Sequence, residues 1–461
     1  MNLVLLSGGS GKRLWPLSND ARSKQFLKLL NDEENQPESM LQRVWNQISK
    51  SGLSENAVIA TSKSQVEIMY NQLGSDIALV TEPYRRDTFP AIALAVSFLY
   101  SEKKVPINET VTVMPVDPYV EDFFFEKISL LEDALINSNA DLALMGVKPS
   151  FPSQKYGYIV PEIGSYSSEN SFVPVNYFKE KPDAELASEL INQGALWNCG
   201  VFSFKLSFVL DYLEELKIPT DYNILANSYD MLPKNSFDYE IVERAQNIVV
   251  QPYEGYWKDL GTWNTLTEEM NSNIIGKAAM SEELKNSHII NELQIPVVMM
   301  GIENAIVAAS PDGILVTNKE RSPEIKKYAE MFSDRPMFEE RRWGWYKVLE
   351  HNKYDEGNQV LTRRLWVESG KNISYQIHFK RTEVWTLVKG EGLLILDNNI
   401  QHIRAGDTIK IPLGKKHALK AITDMEIIEI QVGSELTEDD VTRFSYEWDD
   451  IMSQITQHVN I

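Results

Sequence analysis

Cysteine is nearly absent from this chain of 461 residues: Cys199 stands alone, so no internal disulfide can form and an oxidising compartment is not expected. Histidine is scarce as well, at six residues, which makes any grouping of them informative. No stretch reaches the roughly eighteen uninterrupted apolar residues of a membrane span. The opening Val4-Leu5-Leu6 runs straight into glycines without a basic start, unlike a secretory signal. The cytoplasm is therefore the expected compartment, with no membrane partner. Basic residues are outnumbered too, 45 Lys and Arg against 66 Asp and Glu, for a formal charge of −21. A surface of that sign repels nucleic acid. It leaves room for small phosphorylated ligands, which need only a local cluster of cations and backbone N–H groups.

What is present is the composition of a folded protein, 43% hydrophobic and 24% charged. The length calls for two or three domains. Asn2-Leu3-Val4-Leu5-Leu6 is a short apolar run stopped by glycines, as a buried parallel strand is. Val58 to Thr61, Val111 to Pro115 and Leu142 to Val147 look alike. Between them lie helix-length segments such as Pro90 to Tyr100, with Ile92, Ala95, Val96 and Leu99 on one face. This alternation predicts an α/β domain over 1–270 with a Rossmann-like, mixed but mostly parallel sheet, whose strand carboxyl ends hold the ligand.

A β-rich linker is expected over 271–335, with runs at Ile295 to Met300, Asn304 to Ala308 and Gly313 to Thr317. Pro296 places the first of these at an edge. A charged helical piece should follow from Ser322 to Phe332. Over 336–461 short strands punctuated by Gly357, Gly370, Gly390, Gly406 and Gly414 predict a small antiparallel sandwich or barrel. Open β edges in the linker and in this last domain make a homodimer the expected assembly.

The first strand ends in Ser7-Gly8-Gly9-Ser10-Gly11-Lys12-Arg13. A glycine turn between a strand and a helix exposes consecutive N–H groups that favour a phosphate. This one is no P-loop, because Leu6 stands where the first glycine is required and Arg13 replaces the Ser or Thr after Lys12. Leu14 likewise breaks the dinucleotide fingerprint. Such turns also occur without a ligand, and Lys12, Arg13 and Lys24 add the charge that favours one.

Further along stand Leu14-Trp15-Pro16-Leu17-Ser18, Lys24-Gln25-Phe26-Leu27, Glu82-Pro83, Arg86-Asp87-Thr88, Tyr156-Gly157-Tyr158-Ile159, Phe178-Lys179-Glu180-Lys181-Pro182, Trp197-Asn198-Cys199-Gly200 and Trp257-Lys258-Asp259. In this order they resemble the mannose-1-phosphate guanylyltransferases, or GDP-mannose pyrophosphorylases, in the long bacterial form with a C-terminal cupin. The resemblance implies transfer of GMP from GTP to mannose 1-phosphate. It implies that Asp117 and Asp259 hold Mg²⁺, and that Arg13 and Lys24 stabilise the triphosphate charge. Ser7 to Lys12 with Glu82, Arg86, Asp87 and Thr88 would bind the nucleotide. Lys181 would bind the sugar phosphate, and Gly157, Glu180 and Asn198 the sugar. Arg85, Asp87, Pro118 and Ser23 depart from the family pattern, so another nucleotide or another sugar phosphate stays open as an alternative.

In the last domain Gly370, Gln376, His378, Glu383 and Gly390 are followed by Gly406, Pro412, Gly414 and His417. This resembles the paired cupin motifs, and it implies Gln376, His378, Glu383 and His417 as ligands of Zn²⁺ or another divalent metal. Relatives that interconvert mannose 6-phosphate and fructose 6-phosphate have histidines where this chain has Phe379, Lys380 and Val384. Arg381 and Arg443 would remain for a phosphate. An active isomerase and a binding or dimerisation module are both open readings.

Overall fold

The computed structural model describes residues 1–9, 11–162, 172–332, 334–354 and 357–459 of the chain. Its N-terminal half is built from β1 (Asn2–Ser7), β2 (Ala57–Ser62), α1 (Val66–Leu73), β3 (Ala78–Glu82), α2 (Thr88–Ser101), β4 (Thr110–Pro115), α3 (Phe123–Ser138), β5 (Leu142–Val147), β6 (Tyr158–Pro161), β7 (Val173–Lys179), β8 (Leu196–Lys205) and β9 (Ile248–Tyr253). Among the described residues these strands form one nine-stranded sheet in the order β3-β2-β1-β4-β8-β5-β9-β7-β6. The four apolar runs expected as strands are β1, β2, β4 and β5. The β1, β2, β3 and β4 pairs are parallel, as is β5 with β9. Only β7 and β8 run against the rest, β8 lying antiparallel between β4 and β5.

Both faces of the sheet are covered, which is why β1 reads as an unbroken apolar run. Val4 packs on one side with Phe89, Ile92 and Leu99 of α2. Leu3 and Leu5 turn to the other side, against Phe124, Ile128 and Leu135 of α3. The carboxyl ends of β1 and β4 are thereby fixed side by side, carrying the glycine loop and Asp117.

The linker is a parallel coil. β10 (Ile274–Gly276), β11 (His288–Asn291) and β12 (Ala305–Ser310) stack in parallel, and β13 (Gly313–Asn318) folds back on β12 as a hairpin. Of the run Ile295 to Met300, only Val297–Met299 is a strand; it pairs with Ala278–Met280 alone, directly after Pro296. The helical piece is shorter than its sequence suggested. It is a 3₁₀ turn over Lys319–Glu324 and an α-helix over Ile325–Ala329, because Pro323 has no N–H to give to a longer helix.

The C-terminal domain pairs a six-stranded with a five-stranded antiparallel sheet, closed on one side by the helix Trp448–Val459. This is the expected β-sandwich, or barrel, of a cupin. Its core includes Tyr346, Leu365, Leu387, Leu419 and Ile427. Among the described residues no helix is long and apolar enough to cross a membrane.

Candidate functional site

The glycine loop leaves β1 at Ser7, whose side chain is buried and accepts a hydrogen bond from Gln25 Nε2 at 3.0 Å. Ser7 therefore braces the loop from behind and offers a ligand only its backbone. Gly9 has φ +128°, and a Cβ at Gly8 or Gly9 would meet nothing within 4 Å. The conformation demands glycine at Gly9, and the open side leaves the backbone accessible. Ser10 lies outside the described residues. Gly11 opens the 3₁₀ turn Gly11–Leu14 that carries Arg13, which is exposed. Lys12 lines a different groove, with Asn19 and Asp312.

Lys24 is the centre of the site. Its Nζ lies 2.8 Å from Asp117 Oδ2 and 3.0 Å from Asp259 Oδ1. The two carboxylates meet because Trp257–Asp259 pairs antiparallel with Pro118–Val120, setting Asp259 opposite Pro118 and so next to Asp117. A Cβ on Gly261 would come within 3.0 Å of Asp259 Oδ2, so glycine there leaves room for the carboxylate. Burial works against the Lys24 ammonium, but the two carboxylates outweigh it and hold its pKa above the ordinary value. Asp259 is likewise disfavoured by burial, yet Lys24, Arg13 and Lys155 bring it below its usual range. One ammonium thus bridges the two carboxylates. Two carboxylates and phosphate oxygens are the hard donors that Mg²⁺ prefers.

A second group of polar side chains lies beyond a set of packed rings, Tyr156 lying against both Trp197 and Trp257. Glu180 is buried and its Oε1 lies 2.6 Å from Lys181 Nζ. Its other oxygen rests on Gly157, where a Cβ would come within 2.5 Å. The Asn198 amide gives a hydrogen bond to Asp238 Oδ1 at 2.8 Å and accepts one from Gly200 N at 3.0 Å. Asp238 was not among the residues singled out in the sequence. It opens a π-helical turn, Asp238–Val242, in a stretch with no motif to mark it, and such turns recur at functional sites. Burial, and then Glu180, push its carboxyl up to about 7. Lys155, near enough to bear on Asp259, was missed in the same way.

The segment Glu82 to Thr88 is tied down rather than presented. Glu82 is buried and accepts a 2.6 Å hydrogen bond from Tyr229 OH. Arg86 donates to the carbonyls of Asp230 and Leu232, and Thr88 Oγ1 accepts from Phe237 N. Asp87, at φ +79°, caps α2 by accepting from Thr88 N. Arg85 is held by Asp20. These contacts make the segment a wall of fixed shape.

The C-terminal domain carries a second, separate cluster. His378, Glu383 and His417 are buried, and their ligand atoms lie within 4.8 Å of one another. His378 Nδ1 is 2.8 Å from Arg381 O and His417 Nδ1 is 3.1 Å from Lys415 O. Carbonyls only accept, so both Nδ1 atoms carry the proton, and in the neutral rings each Nε2 is a lone pair. These face Glu383, at 3.4 Å and 3.9 Å. Burial pushes His417 down to about 4. Burial opposes the Glu383 charge too, but the Arg381 guanidinium, whose Nε donates to it at 3.0 Å, helps hold its carboxyl below the usual range. His378 Nε2 is buried without a hydrogen-bond partner. Two imidazole lone pairs aimed at a carboxylate fit a divalent cation of the zinc type.

Gln376 departs from the expected ligand set. Its amide N–H points to His417 Nε2 at 3.3 Å, while its oxygen accepts from Ser374 Oγ at 3.0 Å. Ligation through oxygen needs the amide turned over. The arginines expected to take a phosphate are also occupied. Arg381 donates to Glu383 and to Thr437 O, and Arg443 to Glu438.

A glycine loop and a cation-bridged pair of aspartates at the strand ends of an α/β sheet, near a cluster of polar side chains, are the arrangement a nucleotidyltransferase uses. Comparison with known proteins agrees. Residues 2–274 match the nucleotidyl transferase family, and residues 333–446 match the mannose-6-phosphate isomerase C-terminal family. The chain is 30% identical to the mannose-1-phosphate guanylyltransferase of Salmonella montevideo, over 96% of this chain and 98% of that one. It is also 30% identical to the xanthan biosynthesis protein XanB of Xanthomonas campestris pv. campestris, over 96% and 97% of the two chains. The crystal structure described as a mannose-1-phosphate geranyltransferase from Thermus thermophilus covers 72% of this chain with a TM-score of 0.60 and 25% identity, over 98% of its own length. The chain belongs to the mannose-1-phosphate guanylyltransferase family of nucleotidyltransferases, in the long form that ends in a mannose-6-phosphate isomerase-like domain.

Proposed function

We propose that the N-terminal domain transfers GMP from GTP to α-D-mannose 1-phosphate, giving GDP-mannose and pyrophosphate. The observation that carries this reading is the Lys24-bridged pair Asp117 and Asp259 beside the Glu180 and Asn198 pocket, in a chain similar over nearly its whole length to a protein of that name. An oxygen of the sugar phosphate attacks the α-phosphorus of GTP in line. The bond from that phosphorus to the β-phosphate oxygen breaks, and pyrophosphate leaves. Both reactants are anions, so the protein's task is to neutralise charge and align.

Asp117 and Asp259 are the residues that would hold Mg²⁺, which when bound supplies positive charge to the phosphate oxygens. Lys24 and Arg13 neutralise the triphosphate, and the backbone of Gly8, Gly9, Gly11 and Lys12 cradles it. Glu82, Arg86, Asp87 and Thr88 shape the base pocket. Lys181 takes the sugar phosphate, Glu180 and Asn198 the hydroxyls, and Gly157 lets the sugar approach the backbone. Four nucleoside triphosphates assayed against several sugar 1-phosphates test the assignment. GTP with mannose 1-phosphate is expected to give the highest kcat/KM, with GDP-mannose identified by mass. A clear preference for another pair overturns it.

Asp238 completes the sugar pocket in this reading. Asp238→Asn is expected to raise KM for mannose 1-phosphate about tenfold, as the loss of one hydrogen bond to a charged group does. KM for GTP should stay put. An ionised Asp238 accepts sugar hydroxyls more strongly than a neutral one. In the wild type, KM for the sugar phosphate should therefore fall as pH rises through about 7, and the variant should lose that inflection.

For the cupin, the imidazole lone pairs support a metal-holding module, with Zn²⁺ the best match to the donors. For isomerisation a sugar phosphate would have to displace Glu383 from Arg381 and Glu438 from Arg443. The reading includes a homodimer through the linker, where the edge strand β13 leaves Ile314 57% and Val316 63% exposed. Sedimentation at micromolar concentration should give twice the chain mass. It also includes a cytoplasmic setting, in keeping with Cys199, whose buried thiol is pushed up to about 12 and stays protonated. The xanthan-biosynthesis relative supports a place in polysaccharide synthesis.

A further inference from the structure

Arg22 is a buried cation that the proposed reaction leaves unused. It is 8% exposed and lies two residues before Lys24. Its NH1 reaches both oxygens of Glu292, at 2.9 and 3.0 Å. Its Nε lies 3.3 Å from Glu340 Oε1, and the guanidinium sits 5.1 Å from the centre of the Phe338 ring. Glu292 belongs to the linker. Phe338 and Glu340 belong to the first strand of the C-terminal domain, Phe338–Arg341. One side chain from the nucleotidyltransferase domain thus joins all three parts of the chain.

Its neighbours share the grip. Asn19 Oδ1 accepts from Ala21 N and Arg22 N, folding residues 19–22 into a tight turn. Asn19 Nδ2 donates to Asp312 Oδ2 at 2.7 Å, and Asp312 Oδ1 accepts from Met337 N at 2.5 Å. The inner side of the same segment meets the site. Ser23 Oγ accepts from Gln65 Nε2 at 2.6 Å and donates to Gly9 O at 3.3 Å, and Lys24 bridges the two aspartates. The segment 19–24 is therefore clamped outside by the linker and cupin and carries the catalytic lysine inside.

We infer that the linker and C-terminal domain are part of the nucleotidyltransferase machinery, with Arg22 the positioning residue that sets Lys24 between Asp117 and Asp259. A buried guanidinium whose NH1 holds both oxygens of one half-buried carboxylate and whose Nε lies beside a second is held in one well-defined geometry. Losing it frees the segment to shift, and a shift of about 1 Å at a reacting group costs up to about a hundredfold in rate. The inference rests on the proposed role of Lys24.

The test uses the full chain, with Arg22→Gln and, from the cupin side, Glu340→Gln. Each should lower kcat between about tenfold and a hundredfold. KM for the sugar phosphate should not move, because Glu180 and Asn198 touch neither residue. The discriminating readout is the double variant. In a Lys24→Ala background, Arg22→Gln should cost nothing further, because its effect runs through Lys24. A purely structural role would make the two losses multiply. Glu340→Gln carries the test if Arg22→Gln fails to fold. Wild-type kcat in a folded single variant, or multiplicative losses, overturns the inference. A wild type inactive on every nucleotide and sugar phosphate pair would instead overturn the proposed function.

Discussion

Asp259→Asn should reduce pyrophosphate release from GTP and mannose 1-phosphate at least about a hundredfold, the cost of removing one group aimed at transition-state charge. The amide keeps the size of the side chain and removes its charge. Lys24, now paired only with Asp117, has no reason to stay between the two strands. The cation position then has one anionic ligand, and the two phosphate-bearing reactants lose part of the charge that lets them approach. Asp117→Asn should cost about as much, and the double variant little more, because the two carboxylates act as one unit. Stability should barely change. Asp259 is about a third exposed on its side chain, and ion pairs that open to water contribute about 0–1 kcal/mol. A continuous pyrophosphate assay with a thermal melt on the same samples checks both halves. Activity within threefold of wild type would remove Asp259 from the chemistry.

That unit shows how unevenly the site was written in the sequence. β1, β2, β4 and β5 were legible because strands covered on both faces need unbroken apolar runs. The glycine loop was legible because φ +128° at Gly9 admits little else. Asp117 and Asp259 could be named only through resemblance to a family. Their meeting depends on the pairing of Pro118–Val120 with Trp257–Asp259, and two three-residue strands far apart in sequence leave no periodic trace. Asp238 and Lys155 were not visible for a related reason, since each reaches the site from a loop or turn without a pattern of its own. Motif reading also treated Glu82, Arg86 and Thr88 as ligand contacts, whereas their partners lie in residues 229–237. A motif marks where a constraint acts and does not say whether the constrained group faces a ligand or holds a wall. Gln376 makes the same point, because its residue type fits the metal set while its oxygen is turned to Ser374.

The same distinction governs Glu383→Ala, which should destabilise the C-terminal domain by about 3–5 kcal/mol, the cost of breaking a buried ion pair on one side. Glu383 is 1% exposed and accepts from Arg381 Nε, Gln431 Nε2 and Trp385 Nε1, at 3.0, 3.0 and 3.1 Å. Trp385 can fall back on Glu429 Oε1 at 3.1 Å. Arg381 cannot do as well. Its nearest other carboxylate is Asp440, at 3.8 Å, and its guanidinium would be left almost sealed from water. On a domain of this size such a loss lowers the melting temperature by roughly 10–20 °C. Zinc separates the two roles of the carboxylate. If the cluster holds a metal, zinc at a hundred times its Kd stabilises the wild type by about 2.7 kcal/mol. The same zinc should leave the Glu383→Ala variant unmoved, whose two imidazoles have lost their anionic partner. Glu383→Gln should recover part of the stability, since its amide oxygen still accepts from Arg381, but none of the response to zinc. Equal zinc shifts in all three proteins would show that Glu383 serves the packing of the cupin alone.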